Sequence, residues 1–278
     1  MSLRLSSDPS LKDLFTEQAR TERNRPVAGM FVSAGDAGVA EICAGAGLDY
    51  LLIDGEHSPL SLESIQAQLR AISAYPTLSV VRVPENDARL IKQYLDLGAQ
   101  SLIVPMVDTA DDARAAARAV DYPPNGVRGL GSALARSARW NRIPDYLTTA
   151  RDTITLLVQI ESATAVENAA EIISTDGVDG IFIGPSDLSA SMGLIGQQSH
   201  PDVVAAAKQV IRLAREAGKI VGVNAFAQDQ ARDYLDAGAD FVNVAADVAL
   251  LARATEQLAQ TWCAPSDADG SGSAPASY

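Results

Sequence analysis

Leu51-Leu52-Ile53-Asp54-Gly55-Glu56-His57 and Gly180-Ile181-Phe182-Ile183-Gly184-Pro185-Ser186-Asp187 share one construction: an apolar run that stops at polar or turn-forming residues. Leu156-Leu157-Val158-Gln159-Ile160-Glu161 repeats it. Continuous Val/Ile/Leu runs are the signature of parallel strands buried on both faces. When such strands close into a barrel, their C-terminal ends converge on one face. Two carboxylates, an Asp/His pair and a Gly-Pro turn on one rim point to an enzyme built around a divalent metal.

Working outward, strands are predicted at Val27–Ser33, Tyr50–Asp54, Ser79–Val83, Ser101–Pro105, Thr155–Glu161, Gly180–Gly184, Ile220–Asn224 and Phe241–Ala245. Helical periodicity fills the gaps at Ser61–Ala74, Ala88–Leu97, Asp111–Val120, Ala163–Ser174, Asp202–Ala217 and Gln228–Ala237, with a last helix from near Asp247 to near Thr261. Gly98, Gly218 and Gly238 stand where a left-handed residue stops a helix. Strand–helix alternation on this rhythm means right-handed crossovers between parallel strands. Eight strands favour a closed (β/α)8 TIM barrel over an open doubly wound sheet. The open sheet also expects G-x-G-x-x-G after its first strand, where this chain has Ser33-Ala34-Gly35-Asp36. The expected organisation is one barrel domain over 1–263 with an N-terminal helix, then a disordered tail over 264–278 rich in Ser, Ala, Gly, Pro and Asp. The Gly/Pro-rich excursion from Tyr122 to Tyr146 breaks the rhythm and serves either function or an oligomer contact.

A formal net charge of −13 argues against nucleic-acid and membrane-surface partners. No apolar run approaches the ~20 residues that span a bilayer, and Met1–Leu5 lacks a signal-peptide core. Cys43 and Cys263 fit no metal or disulfide spacing, which suits a reducing cytoplasm.

Glu161 and Asp187 end two neighbouring strands and offer the oxygen ligands that hard cations take. Each could instead be an exposed loop acid, or, for Asp187, the cap of a short helix. Asp54 and His57 are spaced so that a carboxylate could orient an imidazole for general-base work, with Glu56 a competing acid. Arg82 ends a buried strand, which requires a partner. It could hold a substrate oxygen or brace the barrel mouth through Asp96 or Glu56. Gly184-Pro185-Ser186-Asp187 opens a helix whose backbone N–H groups suit a carboxylate. No Lys ends a strand, which disfavours Schiff-base chemistry; Lys219 precedes its strand and falls on the opposite rim.

These stretches, together with Leu102–Val107, Tyr122-Pro123-Pro124 through Arg128-Gly129 and Gly131–Arg136, resemble the HpcH/HpaI aldolase and citrate lyase family of class II pyruvate aldolases over Pro26 to Leu258. The resemblance implies a TIM barrel of the phosphoenolpyruvate/pyruvate type, and cleavage or formation of 4-hydroxy-2-oxo acids through a metal-stabilised enolate of pyruvate or hydroxypyruvate and an aldehyde. It implies Mg2+, Mn2+ or Co2+ on Glu161 and Asp187, and a substrate carboxylate on the N–H groups of Ser186 and Asp187. Arg82 would steady the keto oxygen, and His57, oriented by Asp54, would move the proton. Gln159 would contact substrate, and Gly184 would allow close backbone approach. Ser186 stands where relatives commonly carry Ala, and Asn224 where an apolar pocket residue is expected. The resemblance further implies a cytoplasmic hexamer, a trimer of dimers exchanging the final helix, serving aromatic catabolism. A 2-keto-3-deoxy sugar-acid aldolase or an oxaloacetate decarboxylase would share the motif, and a non-catalytic 2-oxo-acid binder is the reading from another class.

Overall fold

A computed structural model describes residues 6–263; the predicted tail over 264–278 lies outside them. Eight parallel strands close in sequential order into one barrel. They are β1 (Val27–Val32), β2 (Tyr50–Asp54), β3 (Leu78–Arg82), β4 (Ser101–Val104), β5 (Thr155–Ile160), β6 (Gly180–Ile183), β7 (Ile220–Asn224) and β8 (Phe241–Ala246). The expected (β/α)8 architecture therefore holds, with strand ends displaced by a residue or so.

Alternate residues of each strand face the interior. Val27, Phe31, Tyr50, Leu52, Leu78, Val80, Ile103, Leu157, Phe182 and Phe241 form that inner core. Two glycines make room for its aromatic rings. A methyl group on Gly29 would lie 2.4 Å from Tyr50 Cζ, and one on Gly222 would lie 2.0 Å from Phe241 Cζ. The Tyr50 and Phe241 rings meet edge to face with centroids 5.5 Å apart, a favourable arrangement for aromatic quadrupoles.

A single 3-10 turn, Leu11–Phe15, closes the N-terminal end of the barrel. Leu11 is fully buried. Its N–H donates to Ser101 Oγ at 2.7 Å, and the Lys12 N–H donates to Thr155 Oγ1 at 3.0 Å. Ser101 and Thr155 open β4 and β5. Their hydroxyls thus satisfy backbone donors that the buried plug would otherwise strand.

Outside the barrel, the opposite strand faces pack on amphipathic helices. Ala88–Leu97 buries Ile91, Tyr94 and Leu95 and stops at Gly98, whose φ of 103° is open to glycine. The helix predicted over Ala163–Ser174 is broken into Ala163–Glu167 and Ala169–Ile173. Asn168 sits at the break, and its Nδ2–H donates to the Asp108 carbonyl at 2.8 Å.

The last helix, Asp247–Cys263, starts from a buried Asp247 that accepts the Ser33 and Ala34 N–H groups at 2.8 and 3.1 Å. Beyond it, Val248, Leu250, Leu251, Leu258 and Trp262 are exposed. Among the described residues no helix is long and apolar enough to cross a membrane.

Because the Phe241 ring fills the space above Gly222, Gly222→Ala must displace the ring or a strand. Overpacking of this kind costs about 1–3 kcal/mol. Chemical denaturation should give that loss, and an unchanged midpoint would refute the close contact.

Candidate active site

The site is built from the C-terminal ends of β2, β3, β5, β6 and β7. Asp54, the last residue of β2, pairs in register with Arg82, the last of β3. Both side chains are buried, and Arg82 donates from Nε and Nη2 to Asp54 Oδ1, each at 2.9 Å. Burial pushes the Asp54 carboxyl up, but Arg82 and the N–H groups of Glu56 and His57 outweigh it and hold it below the usual range. Arg82 Nη1 lies 2.9 Å from Glu56 Oε2, and the guanidinium stacks over Phe31 at 5.0 Å.

Asp54 therefore meets His57 differently from the predicted pairing. Its Oδ1 accepts the backbone N–H groups of Glu56 and His57 at 3.1 and 3.3 Å, so it shapes the turn rather than holding the ring. The imidazole is 64% exposed, and Nε2 lies 3.7 Å from Glu56 Oε2. Of the two expected partners for Arg82, Glu56 is found and Asp96 is not; Asp96 instead accepts from buried Arg128 at 2.9 Å. Gly55 is required here, because a methyl group would lie 2.6 Å from the Arg82 carbonyl oxygen and 2.7 Å from Tyr94 Oη.

Glu161 follows β5 and is buried. Its two oxygens are held separately: Oε1 accepts the Met106 N–H at 2.7 Å, and Oε2 accepts Gln159 Nε2–H in a close contact. Burial pushes the Glu161 carboxyl up; the Met106 and Gln159 donors offset part of this, and the Glu56 and Asp187 carboxylates push it further. Burial likewise raises Glu56, against the Arg82 and His57 side chains. Met106 adopts φ 53°, a left-handed conformation rare outside glycine and frequent at functional sites.

Gly184 caps the helix Pro185–Ser191, and Asp187 lies within its first turn, so Asp187 is not the cap that its sequence context allowed. Pro185 at the first helical position needs no donor. A methyl group on Gly184 would lie 3.0 Å from Glu161 Oε2 and 3.2 Å from Gln159 Nε2, so this glycine sits directly against the buried carboxylate. Ser186 and Asp187 are exposed at the same helix start. Asn224 is half-buried at the end of β7, and its Oδ1 accepts from fully buried Asn243 at 3.2 Å.

Among the described residues no three His, Cys, Asp or Glu side chains converge tightly enough to form a complete metal site. The donors nevertheless suit a hard divalent cation completed by substrate oxygens. Glu161 and Asp187 supply only oxygen, and Asp187 acts electrostatically on both Glu161 and Glu56. Gln159 Oε1 is buried beside Glu161 with no hydrogen-bond partner, leaving an acceptor for an O–H group.

A family model described as HpcH/HpaI aldolase/citrate lyase matches residues 27–254. The chain belongs to this family. It is 54% identical over 238 residues to a hydroxypyruvate/pyruvate aldolase of Deinococcus radiodurans, covering 86% of each chain. It is 51% identical over 251 residues to a 4-hydroxy-2-oxo-heptane-1,7-dioate aldolase of Shigella sonnei, covering 90% of this chain and 96% of that one. A crystal structure of a family member from Burkholderia cenocepacia superposes with a TM-score of 0.82 at 40% identity, covering 88% of this chain and 99% of that one. The protein is therefore a class II aldolase, a carbon–carbon lyase.

The aldolase carries a pH signature in Glu161. A carboxyl raised in the folded state contributes stability that is fully present below its ordinary value of 4.5 and is lost as pH rises through the folded value. In a chelator, Glu161→Gln should gain thermal stability over the parent progressively as pH rises above 4.5, until the folded-state carboxyl has ionised. A difference in melting temperature that does not change with pH would contradict this assignment.

Proposed function

We propose that the enzyme cleaves and forms 4-hydroxy-2-oxo acids, joining pyruvate or hydroxypyruvate to an aldehyde. The observation that carries this reading is Glu161: a buried carboxylate, fixed at both oxygens, beside Gly184 and within electrostatic reach of Asp187. Glu161 and Asp187 would hold a divalent cation (Mg2+, Mn2+ or Co2+), which when bound supplies the Lewis acid for the 2-oxo carbonyl.

The chain's own groups divide the remaining work. Arg82, pinned by Asp54 and Glu56, directs a guanidinium at the negative charge that develops on the keto oxygen. The backbone N–H groups of Ser186 and Asp187 receive the substrate carboxylate, and Gly184 lets it approach. His57, exposed at the mouth, takes the 4-hydroxyl proton during cleavage and returns it during synthesis. Gln159 keeps Glu161 in place with its N–H and offers Oε1 to an O–H donor. Asn224 gives the aldehyde side a carboxamide, which favours hydroxylated aldehydes and keeps a sugar-acid substrate as the second reading. The apolar face of the final helix supports a homo-oligomer, a hexamer built by exchanging that helix.

Supplied with a divalent metal and pyruvate or hydroxypyruvate, the protein should form carbon–carbon bonds with members of an aldehyde panel. Arg82→Lys should lower kcat by roughly 10²–10³-fold, as loss of one oxyanion donor does. Bond formation with no aldehyde, alongside brisk oxaloacetate decarboxylation, would replace the aldolase substrate class.

For the final helix, Leu251→Asp combined with Leu258→Asp should reduce the mass measured by light scattering to that of a smaller assembly. An unchanged mass would show that these side chains are not covered by a neighbouring copy.

A further inference from the structure

At the opposite end of the barrel the charge pattern inverts. Lys12, Arg20, Arg215 and Lys219 line a cavity of about 620 Å3, and an adjoining one of about 420 Å3 adds Arg23 and Arg25 while sharing Arg20 and Arg215. Thus six of the 22 Lys and Arg residues gather here in a chain of net charge −13. They come from separate segments: the turn and helix that plug the barrel, the end of the helix Pro201–Glu216, and the entry to β7.

The two carboxylates that line the larger cavity, Asp13 and Asp240, are already committed, as is Asp49 beside Arg25; Asp236 lines only the adjoining cavity. Asp240 accepts Arg20 through Oδ1 and the Val221 N–H through Oδ2, and Asp49 accepts Arg25 and the Ala28 N–H. Asp13 is tied to the Ser10 N–H and hydroxyl. Among the described residues, Lys12, Arg23, Arg215 and Lys219 rest on backbone carbonyl oxygens (of Ile154, Leu14 and Arg25, Gly238, and Val178) and form no ion pair within 4.0 Å. Their positions are nonetheless held. Arg20 and Arg23 lie over the Phe15 ring at 5.1 and 6.0 Å. The Arg215 stem crosses Gly238, where a methyl group would lie 2.4 Å from its Cδ.

Guanidinium forks match the oxygens of phosphate and carboxylate groups. Several cations without carboxylate partners around one open cavity of ligand size select a ligand with more than one negative charge. We infer that the N-terminal face of the barrel binds a polyvalent anion, phosphorylated or polycarboxylate, in a site formed by Lys12, Arg20, Arg215 and Lys219. This site is independent of the aldolase rim.

The test uses the full chain. Binding of inorganic tripolyphosphate, ATP and citrate is measured by calorimetry at physiological ionic strength. It is repeated for Arg215→Ala combined with Lys219→Ala, and for the control Arg253→Ala, an exposed residue of the final helix. Saturable binding of at least one probe is expected, at least 10-fold weaker in the double variant and unchanged in the control. Tripolyphosphate and ATP binding without citrate assigns a phosphorylated ligand, and the reverse assigns a polycarboxylate. Absence of saturable binding by all three probes overturns the inference, as does equal affinity in the double variant or equal weakening in the control. All readouts stand apart from aldolase activity, so failure of either reading leaves the other intact.

Discussion

Arg82 is a buried cation held by two carboxylates from the same turn, and the geometry of the rim follows from satisfying it. An ion pair taken out of water gains little net stability against an apolar replacement, but removing one partner leaves a buried charge and is costly. The pair therefore acts as a constraint on position. It fixes the last residues of β2 and β3 against each other, and Asp54 spends its second role on the N–H groups of the turn that follows. With Asp54 so occupied, Glu56 is drawn onto the other side of the guanidinium and becomes the carboxylate nearest the His57 ring. The imidazole is thus placed by its backbone and left accessible.

The other half of the rim carries the opposite charge problem. Glu161 is buried without a cationic side chain of its own; two neutral N–H donors fix its oxygens. Glu56 and Asp187 add negative potential, and the result is a carboxyl that binds its proton more tightly than usual. The same features that favour a proton favour a divalent cation, which brings more charge and accepts several oxygen ligands. Glu161 is thereby held in one position through both of its oxygens, so its side chain has little left to order.

The barrel was legible in the sequence because each buried parallel strand writes itself as an apolar run, and because the run ends where chemistry begins. Asp54, Arg82, Glu161 and Gly184 could be placed on one rim from that rule alone. Contacts made by backbone atoms were not legible. Nothing in the letters Pro105-Met106-Val107 marks Met106 for a positive φ or aims its N–H at Glu161. Asn243 and Asp247 were missed for a related reason: a polar residue inside or just after an apolar strand signals that it has a partner, but not which. Arg82 shows the same limit. Its need for carboxylates was evident from burial, whereas the choice of Asp54 and Glu56 over Asp96 depends on the inter-strand register.

Between the acidic rim and the basic floor the barrel is filled. Leu157, Phe182, Phe241 and Tyr50 occupy its middle, and the Phe182 and Phe241 rings stack with centroids 5.9 Å apart. A packed interior of this kind admits no ligand from one end to the other. The polar link through it that the hydrogen bonds trace is short: Asn224 to Asn243 at 3.2 Å, then Asn243 to Tyr50 Oη at 3.5 Å, where it ends inside the apolar core. The two ends can therefore carry different chemistry without exchanging ligands or protons. Any influence of the floor on the rim must travel through the strands themselves. β7 is one strand that joins the two ends, since Lys219 immediately precedes it, Gly222 yields its space to Phe241, and Asn224 ends it at the mouth.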